Sequence, residues 1–264
     1  MINDLTIVIL TKNEEINIVE VIKSSFMVSK NVLVVDSGST DNTVELAERN
    51  GARVIYRAWD NDFSAQRNFA LEHVDTEWIL YLDADERINE QLREAIKKAI
   101  SKNGNRQYSI KRKSVAFGQE FNYGVFKPDF VPRLFKTSHV KWINKVHENP
   151  VCNDELVVLD GYIKHYTYVN WEQWIHKLDQ YTSIWAKDAF EKGKRVTIKD
   201  ALGHAFASFF KMAVLKEGVF DGYLGIAMCF NHFFYTMIKY LKLIELQRMD
   251  GKSNESSIIG NCKD

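Results

Sequence analysis

The chain has 264 residues, of which 45% are hydrophobic and 27% are charged. A chain of this length is expected to form one large domain, or one domain with an appendage, and its apolar fraction suffices for a sizeable core. Thirty-five basic residues balance 35 acidic ones, which excludes a strongly basic nucleic-acid-binding protein and an acidic disordered chain.

The first hundred residues alternate strand and helix patterns. Short, continuous apolar runs indicate strands buried on both faces, and helical periodicity follows each of them. The predicted strands are Leu5–Leu10, Val32–Val35, Arg53–Tyr56 and Trp78–Leu82, and the predicted helices are Asn13–Phe26, a segment from Asp41 to Asn50, Phe63–Glu72 and Gln91–Ile100. This order predicts an α/β fold with a mostly parallel, Rossmann-like sheet, helices on both faces and a ligand site at the carboxyl ends of the strands.

Residues 105–168 have a different pattern. Helical periodicity fades there, and all three prolines of the chain fall between residues 128 and 150. We expect irregular strands and loops that lie over the carboxyl edge of the sheet. From Trp171 onward the periodicity is helical again, which predicts a C-terminal helical extension.

Two apolar segments near the C-terminus, Ala205–Leu215 and Gly222–Ile238, predict a helical hairpin. Such a hairpin packs on its own domain or on a second copy of the chain, or residues 202–246 lie at a membrane interface. A membrane-spanning helix is the least favoured interpretation, because Asn231 interrupts a segment that is already short for a span.

The charges are distributed unevenly along the chain. Residues 1–100 have a net charge of −7 and residues 101–264 a net charge of +7. Ten of the basic residues lie between Lys102 and Lys145, interleaved with aromatic residues. This window predicts either a binding surface for an anionic acceptor or a solvated rim, whereas the neutral total disfavours nucleic acid.

The three cysteines are widely spaced, and the N-terminus lacks the pattern of a signal peptide. An odd set of isolated cysteines is typical of a reducing compartment. We therefore expect a cytoplasmic protein, with contact to the cytoplasmic face of the inner membrane if the apolar hairpin is interfacial.

Acidic residues follow two of the predicted strands. Asp36 ends the second strand, and Asp83 and Asp85 end the fourth. On extended backbone, residues two apart point to the same side, so the last two carboxylates can bind one Mg²⁺ or Mn²⁺ ion with substrate phosphates completing its shell. A glycine-rich dinucleotide loop and a P-loop are both absent from the sequence.

Four ordered strings, TIVILTKNEE, VVDSGSTDNT, FSAQRNFAL and WILYLDADE, resemble the nucleotide-sugar domain of family 2 glycosyltransferases. The likeness extends to VPRLF, NKVHE and GVFDGYLG, and is strongest to small bacterial β-glucosyltransferases of lipopolysaccharide cores. It implies the GT-A fold over residues 1–168, with a nucleotide-sugar half (1–104) and an acceptor half (105–168). Residues 169–264 then form a helical region for oligomerisation or membrane contact.

The resemblance also implies the ligands of a UDP-sugar and a divalent metal. Asp83 and Asp85 are the expected metal ligands, and His165 is a candidate third ligand. The residues expected to border the nucleotide sugar are Thr11, Asn13, Glu14, Glu15, Asp36, Arg57, Gln66, Arg67, Asp83, Ala84, Asp85 and Arg133.

Family members invert the anomeric configuration and need a carboxylate that deprotonates the acceptor. Glu148 is the expected base, oriented by His147, although a surface ion pair between Glu148 and Lys145 is an alternative. Glu120 and Asp160 are further candidates. The resulting hypothesis is a metal-dependent transferase that moves a hexose, preferably glucose, from a UDP-sugar to a glycan, lipid-linked or peptide acceptor. A nucleotidyltransferase and a non-catalytic sugar-nucleotide-binding protein are the alternatives.

Overall fold

The computed structural model describes residues 1–145 and 148–260, with side chains up to residue 250. The chain forms two compact units. The sheet unit comprises residues 1–114 and 128–167, and the helical unit comprises residues 115–127 and the chain from Tyr168 onward. The sequence predicts a boundary after residue 168, but it does not predict that residues 115–127 join the helical unit.

The first half of the sheet unit is parallel, as the sequence predicts. Strands β1 to β4 lie side by side as β3-β2-β1-β4, all parallel. The strands are Ile2–Thr11 (β1), Ser29–Asp36 (β2), Arg53–Tyr56 (β3) and Trp78–Asp83 (β4), and the helices are Ile18–Phe26 (α1), Thr43–Arg49 (α2), Phe63–Leu71 (α3) and Glu90–Ser101 (α4). The α/β fold expected from the alternation of elements is confirmed.

Alternate residues of the parallel strands are buried on opposite faces of the sheet. Ile7 and Ile9 of β1 pack with α1, α2 and α4 on one face. Val8 packs with Ala70 of α3 and with Trp142 on the other face. Each of these aliphatic side chains is fully buried and contributes about 1.5–3 kcal/mol of hydrophobic stabilisation. Burial on both faces explains why the strands are continuously apolar in sequence.

The segment after α4 differs from the prediction, because it extends the sheet instead of forming loops over it. Long strands continue the sheet beyond β4 in the order β4-β8-β6-β11-β5, with antiparallel pairing of β8 to β4 and to β6. The strands of this part of the sheet are Glu86–Ile88 (β5, which precedes α4), Arg106–Ala116 (β6), Gln119–Glu120 (β7, paired with β6), Asp129–Lys136 (β8) and Glu155–Tyr168 (β11). Lys141–Ile143 (β9) and Asn149–Val151 (β10) pair with each other in a separate antiparallel sheet of two strands.

Pro132 contributed to the prediction of loops, yet it lies inside β8. The register between β6 and β8 shifts between Tyr108 and Ser109, and Ser109 is the partner of Pro132. Proline cannot donate a hydrogen bond to a neighbouring strand, and it is tolerated within a sheet at such an irregularity. The proline therefore marks a bulge.

The start of α1 is also later than predicted. Asn13 does not cap this helix, since its φ is +55° and α1 begins at Ile18. Its backbone N–H donates to Ser39 Oγ, and its side-chain oxygen accepts from the N–H of Thr40. Asn13 thus joins the loops that follow β1 and β2.

Up to residue 260, the described part of the helical unit contains three long helices. Its α5 spans Trp171–Glu191, α6 spans Ile198–Phe210 and α7 spans Gly222–Gly260. Helices α6 and α7 pack against each other as the predicted hairpin, with ring contacts such as Phe206 to Phe233 at 5.1 Å.

None of the helices in residues 1–145 and 148–260 is both long and apolar enough to span a bilayer.

Candidate active site

A cavity of about 500 Å³ lies in the sheet unit at the carboxyl ends of β1 and β4. This is the edge at which parallel strands are expected to bind ligands. Nine of its lining residues were predicted from the sequence, namely Thr11, Glu14, Gln66, Arg67, Asp83, Ala84, Asp85, Glu148 and His165, and five were not, namely Leu10, Lys12, Ser37, Trp59 and Phe63. Segments that are more than 150 residues apart in the chain, Leu10 and His165 among them, therefore meet in one cavity.

Asp83 lies between two arginines. Its carboxylate accepts hydrogen bonds from Arg133 Nη2 at 2.7 Å and from Arg67 Nη2 at 3.3 Å. Desolvation opposes ionisation, but the positive charges of Arg133 and Arg67 hold the pKa of Asp83 well below its usual range. Asp83 is therefore an ionised carboxylate at neutral pH.

Arg133 has protein carboxylates as its partners. It is 5% exposed, and besides Asp83 its Nη2 binds Glu86 Oε1 at 2.8 Å. Glu86 is fully buried, and burial raises its pKa against the influence of Arg133 and Arg112. The sequence predicts that Arg133 borders the nucleotide sugar; in the structure Arg133 is not among the residues that line the cavity, and its guanidinium binds Asp83 and Glu86.

Asp85 has a different partner. Its Oδ2 lies 3.2 Å from His165 Nε2, and its backbone oxygen accepts from the N–H of Tyr166 at 2.9 Å. Although desolvation lowers the pKa of His165, the hydrogen bond and negative charge of Asp85 raise it overall. Strand β4 ends at Asp83, so Asp85 lies in the turn before β5 and not on the extended backbone that the sequence predicts.

Asp85 and His165 supply some of the ligands that a divalent cation needs. Carboxylate oxygen and imidazole nitrogen are both ligands for Mn²⁺, and carboxylate oxygen is the preferred ligand of Mg²⁺. Within the described residues, however, no three His, Cys, Asp or Glu side chains come close enough to hold a metal ion. Of the three expected ligands, Asp85 and His165 lie together, with Asp85 Oδ2 3.2 Å from His165 Nε2, while Asp83 is bound by Arg133 and Arg67.

Arg67 connects the acidic residues of the cavity. Its side chain is 3% exposed and lies 4.7 Å from the ring centroid of Trp142. Besides Asp83, its Nη2 donates to Glu148 Oε1 at 3.1 Å. Among the ion pairs of the described residues, Glu148 therefore pairs with Arg67 and not with Lys145.

Three buried polar atoms at this cavity lack a hydrogen-bond partner within the described part of the chain. They are Thr11 Oγ1, Gln66 Oε1 and Arg67 Nη1, and each belongs to a residue that lines the cavity. An unsatisfied buried polar group costs about 1–3 kcal/mol. A polar, anionic ligand in the cavity offers partners for these atoms.

The family model of glycosyl transferase family 2 matches residues 6–153, which is more than half of the chain. The chain belongs to glycosyl transferase family 2. The GT-A fold expected from the resemblance is the fold observed in this family 2 glycosyltransferase.

The similarity of this glycosyltransferase to its relatives covers nearly the whole chain in one case and about three fifths of it in another. A glycosyltransferase of Rickettsia typhi is 26% identical over 97% of this chain and 92% of its own length. The lipopolysaccharide core biosynthesis glycosyltransferase LpsC of Rhizobium meliloti is 26% identical over 62% of this chain and 64% of its own.

Solved structures are similar to this chain over smaller parts of its length. TarS of S. aureus, in complex with UDP-GlcNAc, has a TM-score of 0.45 and 18% identity over 62% of this chain and 58% of its own. Glucosyl-3-phosphoglycerate synthase of Mycobacterium tuberculosis, in complex with Mn²⁺, UDP and glucosyl-3-phosphoglycerate, has a TM-score of 0.36 and 22% identity. That match covers 44% of this chain and 45% of the mycobacterial one, so the chain spans less than half of it.

Other predicted residues of the glycosyltransferase shape the loops around the cavity. The carboxylate of Asp36 accepts from the N–H groups of Gly38 and Ser39 and from the Ser39 hydroxyl. Glu15 Oε2 accepts from the backbone N–H of Asn42 at 3.2 Å. Arg57 forms a two-point ion pair with Asp60.

The remaining candidates for the base are not part of the cavity lining. Asp160 is exposed on β11, and Glu120 lies on β7 in the helical unit. His147 lies outside the described residues.

Two aromatic residues of the cavity were missed by sequence reasoning. Trp59 and Phe63 stand edge to face, with ring centroids 4.6 Å apart. The Phe63 N–H donates to the carbonyl of Lys145, and Asp62 caps α3 by accepting from the N–H of Ala65. The signal was available, since Phe63 begins the FSAQRNFAL string that resembles the nucleotide-sugar domain and Trp59 lies four residues before it.

Proposed function

We propose that this chain transfers a hexose, glucose by preference, from a UDP-sugar to a hydroxyl group of a glycan, lipid-linked or peptide acceptor, with inversion at the anomeric carbon. One observation carries the proposal: a single cavity at the carboxyl edge of the sheet contains Asp85, His165, Arg67 and Glu148. Family membership and the similarity to LpsC support transfer of a sugar to a cell-envelope glycan.

The donor is bound through the polar atoms that lack protein partners within the described residues. Arg67 Nη1 faces the diphosphate, and Thr11 Oγ1 and Gln66 Oε1 bind donor hydroxyl or imide groups. We assign the uracil to the loops after β1 and β2. Asn13 joins these loops by accepting from the N–H of Thr40, and Asp36 braces the second loop by accepting from the N–H of Ser39. Glu14, Glu15 and Arg57 border the same ligand.

Asp85 and His165 would hold the divalent cation, with diphosphate oxygens completing its coordination. When bound, the cation offsets the negative charge that develops on the departing UDP. Asp83 supports this site indirectly, since its charge fixes the position of Arg67.

Glu148 is the proposed base. The hydrogen bond from Arg67 Nη2 orients its carboxylate in the cavity. In the reaction, this carboxylate takes the proton of the acceptor hydroxyl while that oxygen bonds to the anomeric carbon. The bond from the anomeric carbon to the diphosphate oxygen breaks in the same displacement, and its electron pair leaves with UDP.

The direct test is release of UDP from a panel of UDP-sugars with Mn²⁺ and without acceptor. We expect slow hydrolysis of one UDP-hexose by the wild type and at least about a hundredfold less by Asp85→Ala. Asp188→Ala is the matched control, because Asp188 forms an exposed ion pair with Lys192 in the helical unit. Release of pyrophosphate from UTP or CTP instead would identify a nucleotidyltransferase, and binding without turnover would identify a non-catalytic protein.

We also propose that this cytoplasmic enzyme contacts the surface of the inner membrane. Exposed apolar side chains extend along the α6–α7 hairpin and its turn, among them Phe206, Phe210, Leu215, Phe220 and Tyr223. Aromatic residues with neighbouring lysines, here Lys211 and Lys216, are typical of interfacial segments.

Flotation with anionic vesicles tests the membrane contact. The wild type should float, and a Phe206→Ser/Phe210→Ser variant should remain in the dense fraction. A wild type that does not float but sediments as a dimer would assign the same face to a second copy of the chain.

A further inference from the structure

A second cavity, of about 300 Å³, lies within the helical unit and takes no part in the proposed reaction. It lies among α5, α7 and the turn at residues 124–126. Its volume is at the lower end of the range for small-molecule sites. Its walls are aromatic, and its floor is apolar. The wall residues are Tyr168, Trp174, Tyr181 and Tyr235, and the floor residues are Phe126 and Met228, which are 7% and 5% exposed.

The turn that closes this cavity is firmly anchored. The carboxylate of Asp221 accepts from the N–H groups of Asn122 and Tyr123, the second at 2.8 Å. Gly218 lies so close to Gly124 that a Cβ atom on Gly124 would be 3.1 Å from the Cα of Gly218. The GVFDGYLG motif thus holds in place the segment that contains Phe126, part of the cavity floor.

Two polar side chains face the aromatic walls. Asn231 and His232 lie in the middle of an otherwise apolar, uncharged stretch of α7, and both line the cavity. Within the described residues, the hydrogen bond found for the Asn231 amide is a 3.5 Å contact to Met228 Sδ, and a thioether sulfur is a weak acceptor. Burial and neighbouring lysines lower the pKa of His232, so its imidazole is neutral, with one donor and one acceptor nitrogen.

The lining also limits the charge of a ligand. None of the described residues that line this cavity is Lys, Arg, Asp or Glu. A metal ion would therefore meet no carboxylate in the described lining. The ammonium groups of Lys177 and Lys239 lie 5.1 and 5.7 Å from the ring centroids of Tyr168 and Tyr235, which adds to the cost of placing a cation there. An acyl chain would fit the aromatic walls but would leave the amide and the imidazole without partners.

We propose that this cavity binds an uncharged sugar ring, whose C–H faces stack on Trp174 and the tyrosines while Asn231 and His232 bind its hydroxyl groups. The identity of that sugar as part of the acceptor glycan rests on the proposed function. The assignment explains why an amide and an imidazole occur within the apolar stretch of α7.

Saturation-transfer NMR on the full chain tests the proposal, with methyl β-glucoside, methyl α-mannoside and N-acetylglucosamine as probes at millimolar concentration. We expect transfer to the ring protons of at least one sugar. An Asn231→Leu/His232→Leu variant should bind it at least about tenfold more weakly, because two hydrogen bonds are lost.

Three further variants keep the test decisive. Tyr181→Ala removes a half-exposed wall with little risk to the fold and should also weaken binding. His204→Leu removes an exposed histidine of α6 that stacks on Tyr240 outside the cavity, and it should bind the sugar like the wild type. Asp85→Ala should also retain binding, because it alters the cavity of the sheet unit.

Equal binding by the wild type, the double variant and Tyr181→Ala would overturn the assignment, as would a lack of transfer to all three sugars. Loss of binding in Asp85→Ala alone would place the sugar in the sheet unit and also overturn it. The proposed function is judged separately by UDP release: sugar binding without any UDP release would leave this site standing and refute the transferase.

Discussion

Two cavities described above, the charged one in the sheet unit and the aromatic one in the helical unit, differ in how they are built. The cavity of the sheet unit is lined by charged side chains that form close pairs. Arg67 and Arg133 bind Asp83, Arg67 also binds Glu148, and His165 lies next to Asp85, all at 2.7–3.3 Å. The cavity of the helical unit is lined by aromatic rings and has no charged residue among its described lining. Charge organises the first site, whereas close backbone packing organises the second.

The strongest test of the charged cavity is Glu148→Gln. This change keeps the shape of the side chain but removes the base, so transfer to an acceptor should fall by about 10²–10⁴-fold. UDP-sugar affinity should remain near that of the wild type. Asp160→Asn is the control, since that exposed carboxylate on β11 should be dispensable. A loss of transfer in Asp160→Asn, with normal transfer in Glu148→Gln, would reassign the base.

The next largest effect should follow from Arg133→Met. Removing this buried guanidinium leaves the charges of Asp83 and fully buried Glu86 without their shortest ion pairs, a change that costs about 3–5 kcal/mol. Urea unfolding measures it. Arg57→Met, which breaks the more exposed pair with Asp60, should cost less than about 1 kcal/mol. Similar losses in both variants would show that charge does not organise this region.

Two glycines test the close packing of the helical unit. Gly225 in α7 and Gly203 in α6 are both helical, but a Cβ on Gly225 would collide with the carbonyl oxygen of Gly218, while a Cβ on Gly203 meets nothing within 4 Å. Gly225→Ala should lower the unfolding free energy by about 1–3 kcal/mol. Gly203→Ala should raise it by up to about 1 kcal/mol. Thermal unfolding with the same sign for both would contradict the packing described here.

The sequence predicted the charged cavity better than the aromatic one, and the reason is physical. Parallel strands buried on both faces are continuously apolar, so β1, β2 and β4 and their carboxyl ends can be located from local pattern. Acids at those ends are then conspicuous. The partners of each acid were not predicted, because Arg133 reaches Asp83 through the pairing of β8 with β4.

The antiparallel half of the sheet escaped prediction for a related reason. Its strands carry charged and aromatic residues on the same stretch, as in Arg106–Ala116, and Pro132 lies within β8. Tertiary pairing decides the structure there. The cavity of the helical unit depends on segments far apart in the chain, since Phe126, Trp174 and His232 meet only after folding.

The central claim is that the charged cavity binds the diphosphate of UDP together with a divalent cation held by Asp85 and His165. Isothermal titration of UDP with and without Mn²⁺ tests it most directly. The wild type should bind UDP at least about tenfold more tightly with Mn²⁺, and Asp85→Ala and His165→Ala should lose this dependence. Equal UDP affinity with and without Mn²⁺ in the wild type, or an unchanged Mn²⁺ effect in both variants, would contradict the account.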